Sequence, residues 1–572
     1  MKIVVVGGVA GGMSAAARAR RLSEDAEIVV LERGGYVSFA NCGLPYHVGG
    51  EIPKRSALLV QTPDSLRAAL DLDVRIGHDV VAIDRENRTV TARHTTATGQ
   101  ADVVLPYHAL VLAPGAATIR PPVPGLDLPQ VHTLRTVPDA DGLRAVVGAG
   151  ARRAIVLGAG FIGIETAEAL RIRGLQVDLV DLAPHVLPPL DSELAQLLDD
   201  ELRANGVRTH VGVAAESITT SPAQVDGEHH GLDDRATAEV HLSDGSVLEG
   251  DVVVLSVGVR PDSGLAADAG LELGPQGAIV VDSEQRTSDP HIWAVGDATA
   301  VRHAVTGLVG PVPLAGPANR QGRRAADSIL GAISPARRAR PVLGTAVLRV
   351  FGLTAAMTGA SQHTLQRAGI AYHTVHVHPG HHAGYFPGAE QMHLTITFAP
   401  DGRLLGAQAV GRDGVDKRID VLATALFAGM TVDDVAELEL AYAPPYGSAK
   451  DAVNMAGFVA QNVLDGSLRL WYPDELDKVL DTALVLDVRT AREHARGHLP
   501  GALNVPHTEL RERLEEVRTA AGGRPVRVHC VSGFRSYLAH RVLDQAGFDS
   551  ASLSGGLLTL HAARPDVELV RG

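Results

Sequence analysis

The stretch that decides the fold of this chain is AIVLGAGFIG (residues 154–163), in which four apolar residues run into a glycine-rich turn. A helical pattern continues through Leu170, and an apolar segment from Gln176 to Val180 ends at the acid Asp181. Backbone N–H groups at such a turn approach a pyrophosphate, and the acid holds a ribose hydroxyl. The stretch therefore predicts a strand–helix–strand unit that binds a dinucleotide, with a purely structural turn and a surface acid as the alternatives.

The N-terminus repeats this pattern in IVVVGGVAGG (residues 3–12). An Ala/Arg-rich helix and a strand from Glu27 to Leu31 follow, and the strand ends at Glu32. Val9 replaces the middle glycine of the fingerprint, so this copy is less regular. Two such units predict two dinucleotides, and a flavin with a nicotinamide is the usual pair for moving a hydride into sulfur chemistry. Asp181 would accept a 2′-hydroxyl and repel a 2′-phosphate, which favours NADH while leaving NADPH possible.

The whole chain is predicted to be an α/β protein of several domains, because 572 residues are too many for one hydrophobic core. Apolar runs at 110–115 and 252–258 enter glycine turns and suit crossings between two Rossmann-like domains. An α+β interface domain and a C-terminal α/β domain should follow. The predicted ranges are 1–112 with 251–328 for the first dinucleotide domain, 113–250 for the second, 329–460 for the interface domain and 475–572 for the last.

Composition excludes several classes of protein. The net charge of −14 argues against non-specific binding to nucleic acid, whose phosphates require a basic surface. Only two cysteines, Cys42 and Cys530, occur in the chain, which excludes a disulfide framework and indicates a reducing compartment. No apolar signal segment precedes the first strand and no long apolar run occurs elsewhere, so we expect a cytoplasmic protein without membrane contact.

The segment SFANCGLPY (residues 38–46) follows Glu32 closely and resembles the active-site segment of coenzyme A-disulfide reductases and related single-cysteine flavoenzymes. The resemblance extends over about residues 1–460 and includes both fingerprints. Further matching segments are IWAVGD (292–297), VPLAGPANR (312–320), HHAGY (381–385) and AYAPPY (441–446). The resemblance implies a glutathione-reductase-like fold with FAD, NAD(P)H and interface domains, working as a homodimer.

Cys42 is a single active-site cysteine in this interpretation. Dithiol members of the wider superfamily need a second cysteine nearby, but His47 stands five residues after Cys42. Cys42 must therefore exchange electrons with a sulfur supplied by the substrate, or cycle through a sulfenic acid. A free thiol titrates near about pH 8.5, so we expect positive charge or a helix N-terminus to stabilise the thiolate. The polar, turn-rich context argues against an inert buried cysteine.

The resemblance also implies roles for individual residues. Two tyrosines are donated to the neighbouring subunit's site, with Tyr385 as the counterpart of the first and either Tyr442 or Tyr446 as that of the second. Coenzyme A contacts are implied for Ser14, Arg18, Arg21, Ser38, Asn41 and Lys450. Contacts with FAD or the nicotinamide nucleotide are implied for Gly7, Gly8, Val9, Ala10, Gly11, Gly12, Glu32, Arg33, Asn41, Val80, Ala113, Gly115, Gly158, Gly160, Phe161, Ile162, Gly163, Glu165, Asp181, Gly258, Gly296, Asp297, Pro313, Leu314 and Ala315.

Residues 475–572 resemble a single rhodanese domain. Its first signature is matched by LDVR (486–489), Glu493 and GHLPGA (497–502), and its active loop by CVSGFRS (530–536). Such a loop surrounds the sulfur with N–H groups near a helix N-terminus, and Arg535 adds positive charge. Related phosphatases use a loop one residue longer, so the short run from Cys530 to Arg535 favours sulfur transfer.

Taken together, the sequence predicts an FAD- and NADH-dependent reductase of coenzyme A disulfide, coenzyme A persulfide or polysulfide, acting through Cys42, with a sulfurtransferase site at Cys530. The partners are small thiols, disulfides and persulfides, and coenzyme A is a substrate or bound ligand. Two alternatives stay open: an NADH oxidase or peroxidase that uses a Cys42 sulfenic acid, and a flavin-based redox sensor or scaffold. Six histidines from His373 to His393 fit no single metal-ligand template, so a polar interface segment without metal is expected.

Overall fold

Both glycine fingerprints lie in parallel sheets of the computed structural model, which describes residues 1–96, 99–221 and 236–571. The chain divides into two units. The first is Met1–Pro184 with Asn205–Gly344, and the second is His185–Ala204 with Thr345–Gly572. The predicted domain ranges also include residues 97–98, 222–235 and 572, which lie outside the described residues.

The N-terminal sheet of the first unit carries the first fingerprint. Its parallel strands lie in the order Ile292–Ala294, Ala109–Leu112, Lys2–Val6, Glu27–Glu32 and Asp73–Ile76. The valine-rich strand Lys2–Val6 is buried, as a parallel sheet covered by helices requires. The helix Ala10–Leu22 begins directly after the glycine turn, so its N-terminus lies at the carboxyl edge of the sheet.

A second parallel sheet in the same unit repeats this layout. Its strands lie in the order Val207–Val211, Gln176–Asp181, Arg153–Leu157, Val252–Leu255 and Val131–His132. The helix Phe161–Ile172 follows the second glycine turn. Asp181 ends the neighbouring strand just as Glu32 does in the first sheet. Both predicted Rossmann-like folds are therefore present.

The other elements of the first unit connect and cover these sheets. The remaining strands are His78–Asp84, Thr89–Thr96, Gly99–Pro106, Ala116–Thr118, Ala215–Ser221, Thr237–Leu242, Val247–Gly250, Val259–Pro261, Ala300–Arg302 and Val309–Pro311. The remaining helices are Leu44–Gly49, Pro63–Leu70, Val137–Gly148, Gly264–Asp268 and Ala315–Ile329.

Close backbone contacts explain the outer glycines of both fingerprints. Gly7 and Gly158 have φ values of +96° and +104°, a region that side chains disfavour. A Cβ atom on Gly12 would lie 1.9 Å from the Gly7 carbonyl oxygen, and one on Gly163 would lie 1.8 Å from the Gly158 carbonyl oxygen. Val9 has a φ of −108°, so the middle position of the first fingerprint accepts a side chain without backbone strain.

The second unit contains an antiparallel sheet, as the predicted α+β interface domain requires. Its strands lie in the order Ala346–Val350, Leu353–Gly359, Leu404–Gly411, Met392–Phe398 and His373–Val377. Apolar residues of the helices Val415–Ala428 and Ala452–Leu464 share one core with this sheet. The other helices of this region are Ser192–Ala204, Gln362–Ala368 and Val432–Ala436.

The C-terminal part of the second unit is the predicted α/β domain. Its parallel strands lie in the order Leu470–Trp471, Ser550–Leu553, Val526–His529, Leu484–Asp487 and Leu503–Asn504. Its helices are Leu476–Thr482, Ala491–Arg496, Leu514–Ala521, Phe534–Gln545 and Gly556–Ala563. Cys530 follows the central strand directly, and the loop that it begins leads into the helix Phe534–Gln545.

Two alanine substitutions in the second fingerprint test this packing. Gly163→Ala forces a Cβ against the Gly158 carbonyl, and we expect it to lower the free energy of unfolding by about 1–3 kcal/mol. Gly160→Ala is the matched control, because no heavy atom lies within 4 Å of its Cβ position and its φ is −79°. Calorimetry of both variants checks this, and equal melting temperatures would contradict the close approach.

Candidate active sites

One carboxylate organises each glycine turn. Glu32 accepts hydrogen bonds from the backbone N–H of Gly8 at 2.8 Å and of Gly34 at 2.7 Å. Asp181 repeats this arrangement, because it accepts from the N–H of Ala159 at 2.5 Å and of Ala183 at 2.7 Å. Each acid thus ties its fingerprint to the chain that follows the second strand, at the edge where a ribose would lie.

A cleft of about 300 Å³ opens above the first fingerprint. The N-terminus of the helix Ala10–Leu22 and the Glu32 carboxylate both line this cleft, so the helix N–H groups there could hold an anion. This cradle fits the pyrophosphate and ribose of FAD. The predicted FAD contacts that line the cleft are Gly7, Val9, Ala10, Gly11, Glu32, Arg33, Asn41, Val80, Ala113, Gly115, Gly296 and Asp297.

Other predicted cofactor residues lie around these turns. The Gly8 N–H donates to Glu32, and Gly12 packs against the Gly7 carbonyl. Residues of the helix Phe161–Ile172 supply four more: Phe161, Ile162, Gly163 and Glu165. Gly258, with a φ of +105°, precedes the strand Val259–Pro261. Pro313 and Leu314 lead into the helix Ala315–Ile329, which begins at Ala315.

The cleft also contains residues that the sequence analysis missed. Arg135 lines it, and its charge opposes the rise that burial causes in the pKa of Asp297. Asp262 lines it as well and accepts a hydrogen bond from Arg33 at 2.7 Å. Both residues lie far along the chain from the fingerprint and follow no motif of their own, so only the folded chain reveals them.

Cys42 lies exposed in a short turn, Asn41–Gly43, just before the helix Leu44–Gly49. This helix packs on the helix Phe161–Ile172 of the second fingerprint, where a Cβ on Gly49 would lie 3.3 Å from Ala169. The Tyr46 hydroxyl donates to Glu165 at 3.1 Å across this contact. The packing therefore holds the cysteine beside both dinucleotide folds.

The sequence analysis expected positive charge or a helix N-terminus to stabilise the Cys42 thiolate, and the charges that act on it are negative. Burial raises the pKa of the Cys42 thiol, and the carboxylates of Glu165 and Asp297 raise it further. A hydrogen bond from its own backbone acts in the opposite direction. The polypeptide alone therefore disfavours the thiolate.

His47 does not act as a substitute for a second cysteine. It is buried, and its Nδ1 lies 2.6 Å from the Ile52 carbonyl oxygen. Its own carbonyl accepts a hydrogen bond from Arg144. His47 thus serves packing behind the turn that carries Cys42.

Some of the predicted coenzyme A contacts have hydrogen-bond partners within the protein, and others are exposed. Ser14 donates to Asn319 at 2.6 Å, and Arg18 donates to the buried Asp327 at 2.6 Å. Arg21 is exposed, so its charge faces solvent. Ser38 adopts a φ of +46°, which is rare for a residue other than glycine. Asn41 lines the cleft, and Lys450 is an exposed residue of the second unit.

The three candidate tyrosines lie on the surface of the second unit. Tyr385 is 76% exposed, Tyr442 48% and Tyr446 72%. The hydroxyls of Tyr385 and Tyr442 share a hydrogen bond of 2.8 Å, which makes these two a pair. Such exposure suits side chains that act on another subunit, and their predicted role stays a prediction.

Cys530 lies at the centre of a closed loop. It is 1% exposed, and its Sγ accepts a hydrogen bond from the Ser536 N–H at 3.4 Å. Ser552 donates to the Ser536 hydroxyl at 2.9 Å, which fixes that side chain. The N-terminus of the helix Phe534–Gln545 therefore faces the sulfur, as a persulfide or thiolate site requires.

Arg535 is held next to this sulfur by Glu493. The Nη1 and Nη2 atoms of Arg535 donate to the Glu493 carboxylate at 2.8 and 2.7 Å. Glu493 raises the pKa of Arg535, and the charge of Cys530 adds to that effect. The same ion pair lowers the pKa of Glu493 to about 2. Arg535 thus adds a fixed positive charge, while Glu493 sets its direction.

The residue before the cysteine is also buried. His529 is fully buried, and burial lowers its pKa to about 4. The ring is therefore neutral at physiological pH and leaves Arg535 as the charge beside the sulfur.

The described residues contain no group of three or more His, Cys, Asp or Glu side chains arranged to hold a metal ion. Within the same described ranges, no helix is both long enough and apolar enough to span a bilayer.

Two dinucleotide folds in one unit, with a single cysteine between them, define a nucleotide-dependent oxidoreductase that acts on a sulfur atom. This chain belongs to the pyridine nucleotide-disulphide oxidoreductase family, which it matches over residues 1–322. Residues 345–453 match the dimerisation domain of that family, and residues 472–563 match the rhodanese-like domain. The family resemblance stated from the motifs is confirmed.

Similar proteins agree with this assignment. The chain is 34% identical to the coenzyme A disulfide reductase of Staphylococcus haemolyticus over 466 residues, 81% of this chain and 100% of the relative. The structure of reduced Bacillus anthracis CoADR-RHD matches with a TM-score of 0.93 and 42% identity, covering 100% of this chain and 99% of that one. The NAD-dependent persulfide reductase from A. fulgidus matches with a TM-score of 0.89 and 37% identity over 98% and 100% of the two chains.

The effect of the Glu165 carboxylate on the pKa of Cys42 can be tested by substitution. Glu165→Gln removes the negative charge that raises the thiol pKa, so we expect the midpoint of Cys42 alkylation to move to lower pH and the rate at pH 7 to rise about two- to tenfold. The measurement uses iodoacetamide on flavin-loaded protein in a Cys530→Ser background. Glu24→Gln, at an exposed site, is the matched control. An unchanged pH profile in Glu165→Gln would contradict the electrostatic account.

Proposed function

We propose that this chain is an FAD-dependent enzyme that uses NADH to reduce coenzyme A disulfide, coenzyme A persulfide or polysulfide at Cys42, and that transfers sulfur at Cys530. The observation that carries the proposal is the placement of Cys42. It lies exposed next to Asn41, which lines the FAD-type cleft, in the turn that leads into a helix packed against the second glycine fold. Since Cys530 is the only other cysteine, the substrate must supply the second sulfur.

Reduction begins at the Cys42 sulfur. Its thiolate attacks one sulfur of a disulfide, the substrate S–S bond breaks, one thiol leaves, and Cys42 holds the other half as a mixed disulfide. With a persulfide, the thiol leaves and Cys42 retains the outer sulfur. FAD, when bound, supplies the electrons from NADH that return Cys42 to the thiolate and release the second thiol or sulfide.

The surrounding residues hold the substrate in this proposal. Ser14, Arg21, Ser38, Asn41 and Lys450 contact coenzyme A, and the two cationic side chains pair with its phosphates. Arg18 shares its guanidinium with Asp327, so it both anchors the helix Ala10–Leu22 and offers its remaining N–H groups to a phosphate. Two tyrosines act in the site of the partner subunit of a homodimer, where they donate a proton to the leaving thiolate. The first is Tyr385, and the second is Tyr442 or, in place of Tyr442, Tyr446.

Sulfur transfer is assigned to the C-terminal domain. Cys530 takes a sulfur atom from a donor, and the loop N–H groups with Arg535 stabilise the resulting persulfide anion. A carrier thiol such as coenzyme A then accepts the sulfur and delivers it to Cys42. Fusion in one chain raises the local concentration of this product.

Several observations support this assignment. The Staphylococcus haemolyticus relative is a coenzyme A disulfide reductase, and the A. fulgidus structure is a persulfide reductase that matches this chain over both units.

We also propose a cytoplasmic location, the four domain ranges given from the sequence, and no binding to nucleic acid or membrane. Low cysteine content and the net charge of −14 support these points.

Separate serine substitutions of the two cysteines test the function. Cys42→Ser should abolish NADH-driven reduction of coenzyme A disulfide and persulfide while NADH still bleaches the flavin. Cys530→Ser should leave reduction of a pre-formed substrate within about twofold of wild type, because that exchange uses no group of the Cys530 loop. It should abolish thiosulfate-fed sulfur transfer. Loss of coenzyme A-disulfide reduction in folded, flavin-loaded Cys530→Ser would show that both thiols belong to one site.

Cofactor preference depends on Asp181 in this account. Asp181→Ala removes the charge that repels a 2′-phosphate, so the ratio of kcat/KM for NADPH to that for NADH should rise about tenfold or more. The absolute kcat/KM for NADH should fall, because Ala159 and Ala183 lose their acceptor. Asp244→Asn, at an exposed turn of the same domain, is the control. A wild-type enzyme that prefers NADPH would refute the role of Asp181.

A further inference from the structure

The turn of residues 554–559 comprises the two residues after the strand Ser550–Leu553 and the start of the helix Gly556–Ala563, and it closes the Cys530 loop. The N–H of Leu557 donates to the Cys530 carbonyl at 2.9 Å, and the N–H of Leu558 donates to the Val531 carbonyl at 3.0 Å. A Cβ on Gly556 would lie 2.7 Å from both carbonyl oxygens, so the two backbones are in direct contact. The position of this turn therefore sets the position of the loop.

These two hydrogen bonds also fix the direction of neighbouring N–H groups. In a trans peptide the N–H points away from the preceding carbonyl. With the Cys530 and Val531 carbonyls turned toward Leu557 and Leu558, the N–H groups of Val531 and Ser532 point the opposite way. An anion held on the Cys530 sulfur needs such oriented donors.

Two histidines hold the turn from its other side. His376 Nδ1 lies 2.8 Å from the Ser554 hydroxyl, and His378 Nε2 lies 2.9 Å from the Thr559 hydroxyl. A Cβ on Gly555 would lie 2.8 Å from His376 Cβ and from His378 Nε2. His376 lies in the edge strand His373–Val377 of the antiparallel sheet and His378 follows it directly, and Tyr472 donates to the Thr374 carbonyl of that strand at 2.9 Å. The sulfur-carrying domain is thus docked on this strand.

His376 is itself fixed by a buried acid. Its Nε2 lies 3.0 Å from Glu193 Oε1, and because a carboxylate only accepts, Nε2 carries the proton toward it. Burial alone would raise the pKa of Glu193, but the hydrogen bond from His376 holds that pKa below its usual value. Gln362 also donates to Glu193 at 3.1 Å. The imidazole therefore has one orientation, with Nδ1 aimed at Ser554.

We propose that His376 and His378 are positioning residues of the sulfur-transfer site: through Ser554 and Thr559 they fix the turn that orients the N–H groups of the Cys530 loop. The inference rests on the proposed function of Cys530 as a sulfur carrier. In this account the efficiency of sulfur transfer depends on a strand of the dimerisation domain, which contacts no reacting atom. Reduction at Cys42 does not use these contacts.

Two substitutions of one histidine separate its two hydrogen bonds. Asn places a polar atom near the Nδ1 position, so His376→Asn keeps the contact with Ser554. Gln reaches the Nε2 position, so His376→Gln keeps only the contact with Glu193. Ser554→Ala removes the same contact from the other side and does not alter the acid–histidine pair. His363→Ala, at an exposed site of the same domain, is the matched control.

The assay is thiosulfate–cyanide sulfur transfer by the full-length, flavin-loaded protein. The Cys530 thiolate takes the outer sulfur of thiosulfate as sulfite leaves, and cyanide then accepts that sulfur as thiocyanate and restores the thiolate. We expect His376→Gln and Ser554→Ala to lower kcat about ten- to hundredfold, and His376→Asn to restore most of it. NADH-driven reduction of coenzyme A disulfide by the same samples should stay within about twofold of wild type.

A second measurement is independent of turnover. In a Cys42→Ser background, iodoacetamide reports the pH midpoint of Cys530 alone, and we expect Ser554→Ala and His376→Gln to raise it by about one unit because the thiolate loses oriented donors. Wild-type alkylation profiles in both variants would overturn the positioning role. If wild-type protein transfers no sulfur from thiosulfate, the proposed function of Cys530 fails, whereas the shift in midpoint still decides the inference.

Discussion

A carboxylate at the end of the second strand ties each glycine turn to the loop beyond it, and both dinucleotide folds depend on this contact. Glu32 and Asp181 each accept two backbone N–H groups that have no other role in the sheet. Gly8 and Ala159 are buried, and a buried N–H without an acceptor costs about 1–3 kcal/mol, so each acid stabilises its turn as well as the ribose edge. The position of Cys42 follows from this, because the helix that comes directly after its turn packs on the helix that the second glycine turn begins.

The two cysteines lie in opposite electrostatic settings. Partial burial of Cys42 raises the pKa of its thiol and the carboxylates of Glu165 and Asp297 raise it further, so its thiolate depends on the bound cofactor and substrate for stabilisation. Cys530 is buried, faces a helix N-terminus and has the guanidinium of Arg535 beside it. A thiol of the first kind relies on bound cofactor and substrate to stabilise its thiolate, whereas the second lies among donors and a positive charge that can stabilise a sulfur anion. This contrast fits a reductive site and a carrier site in one chain.

Local patterns predicted the two dinucleotide folds, and the family resemblances predicted the roles of both cysteine loops. Each glycine turn and the loop from Cys530 to Arg535 span only a few residues, and each strand-end acid falls at a fixed place in its strand–helix–strand unit, so the sequence pattern reveals them. Pairings between distant residues could not be predicted. Arg18 meets Asp327 across 309 positions, and His376 meets Ser554 across 178. No periodicity marks such contacts, and a predicted phosphate ligand such as Arg18 therefore proved to have an internal partner.

The most direct test of the account compares electron acceptors. Purified, flavin-loaded protein is supplied with NADH and, in separate assays, with coenzyme A disulfide, coenzyme A persulfide, polysulfide or oxygen, and kcat/KM is measured for each. The account predicts that at least one sulfur substrate has a far higher kcat/KM than oxygen and that this activity disappears in Cys42→Ser. Oxygen or peroxide reduction that exceeds turnover of every sulfur substrate would identify an oxidase or peroxidase and contradict the proposed function.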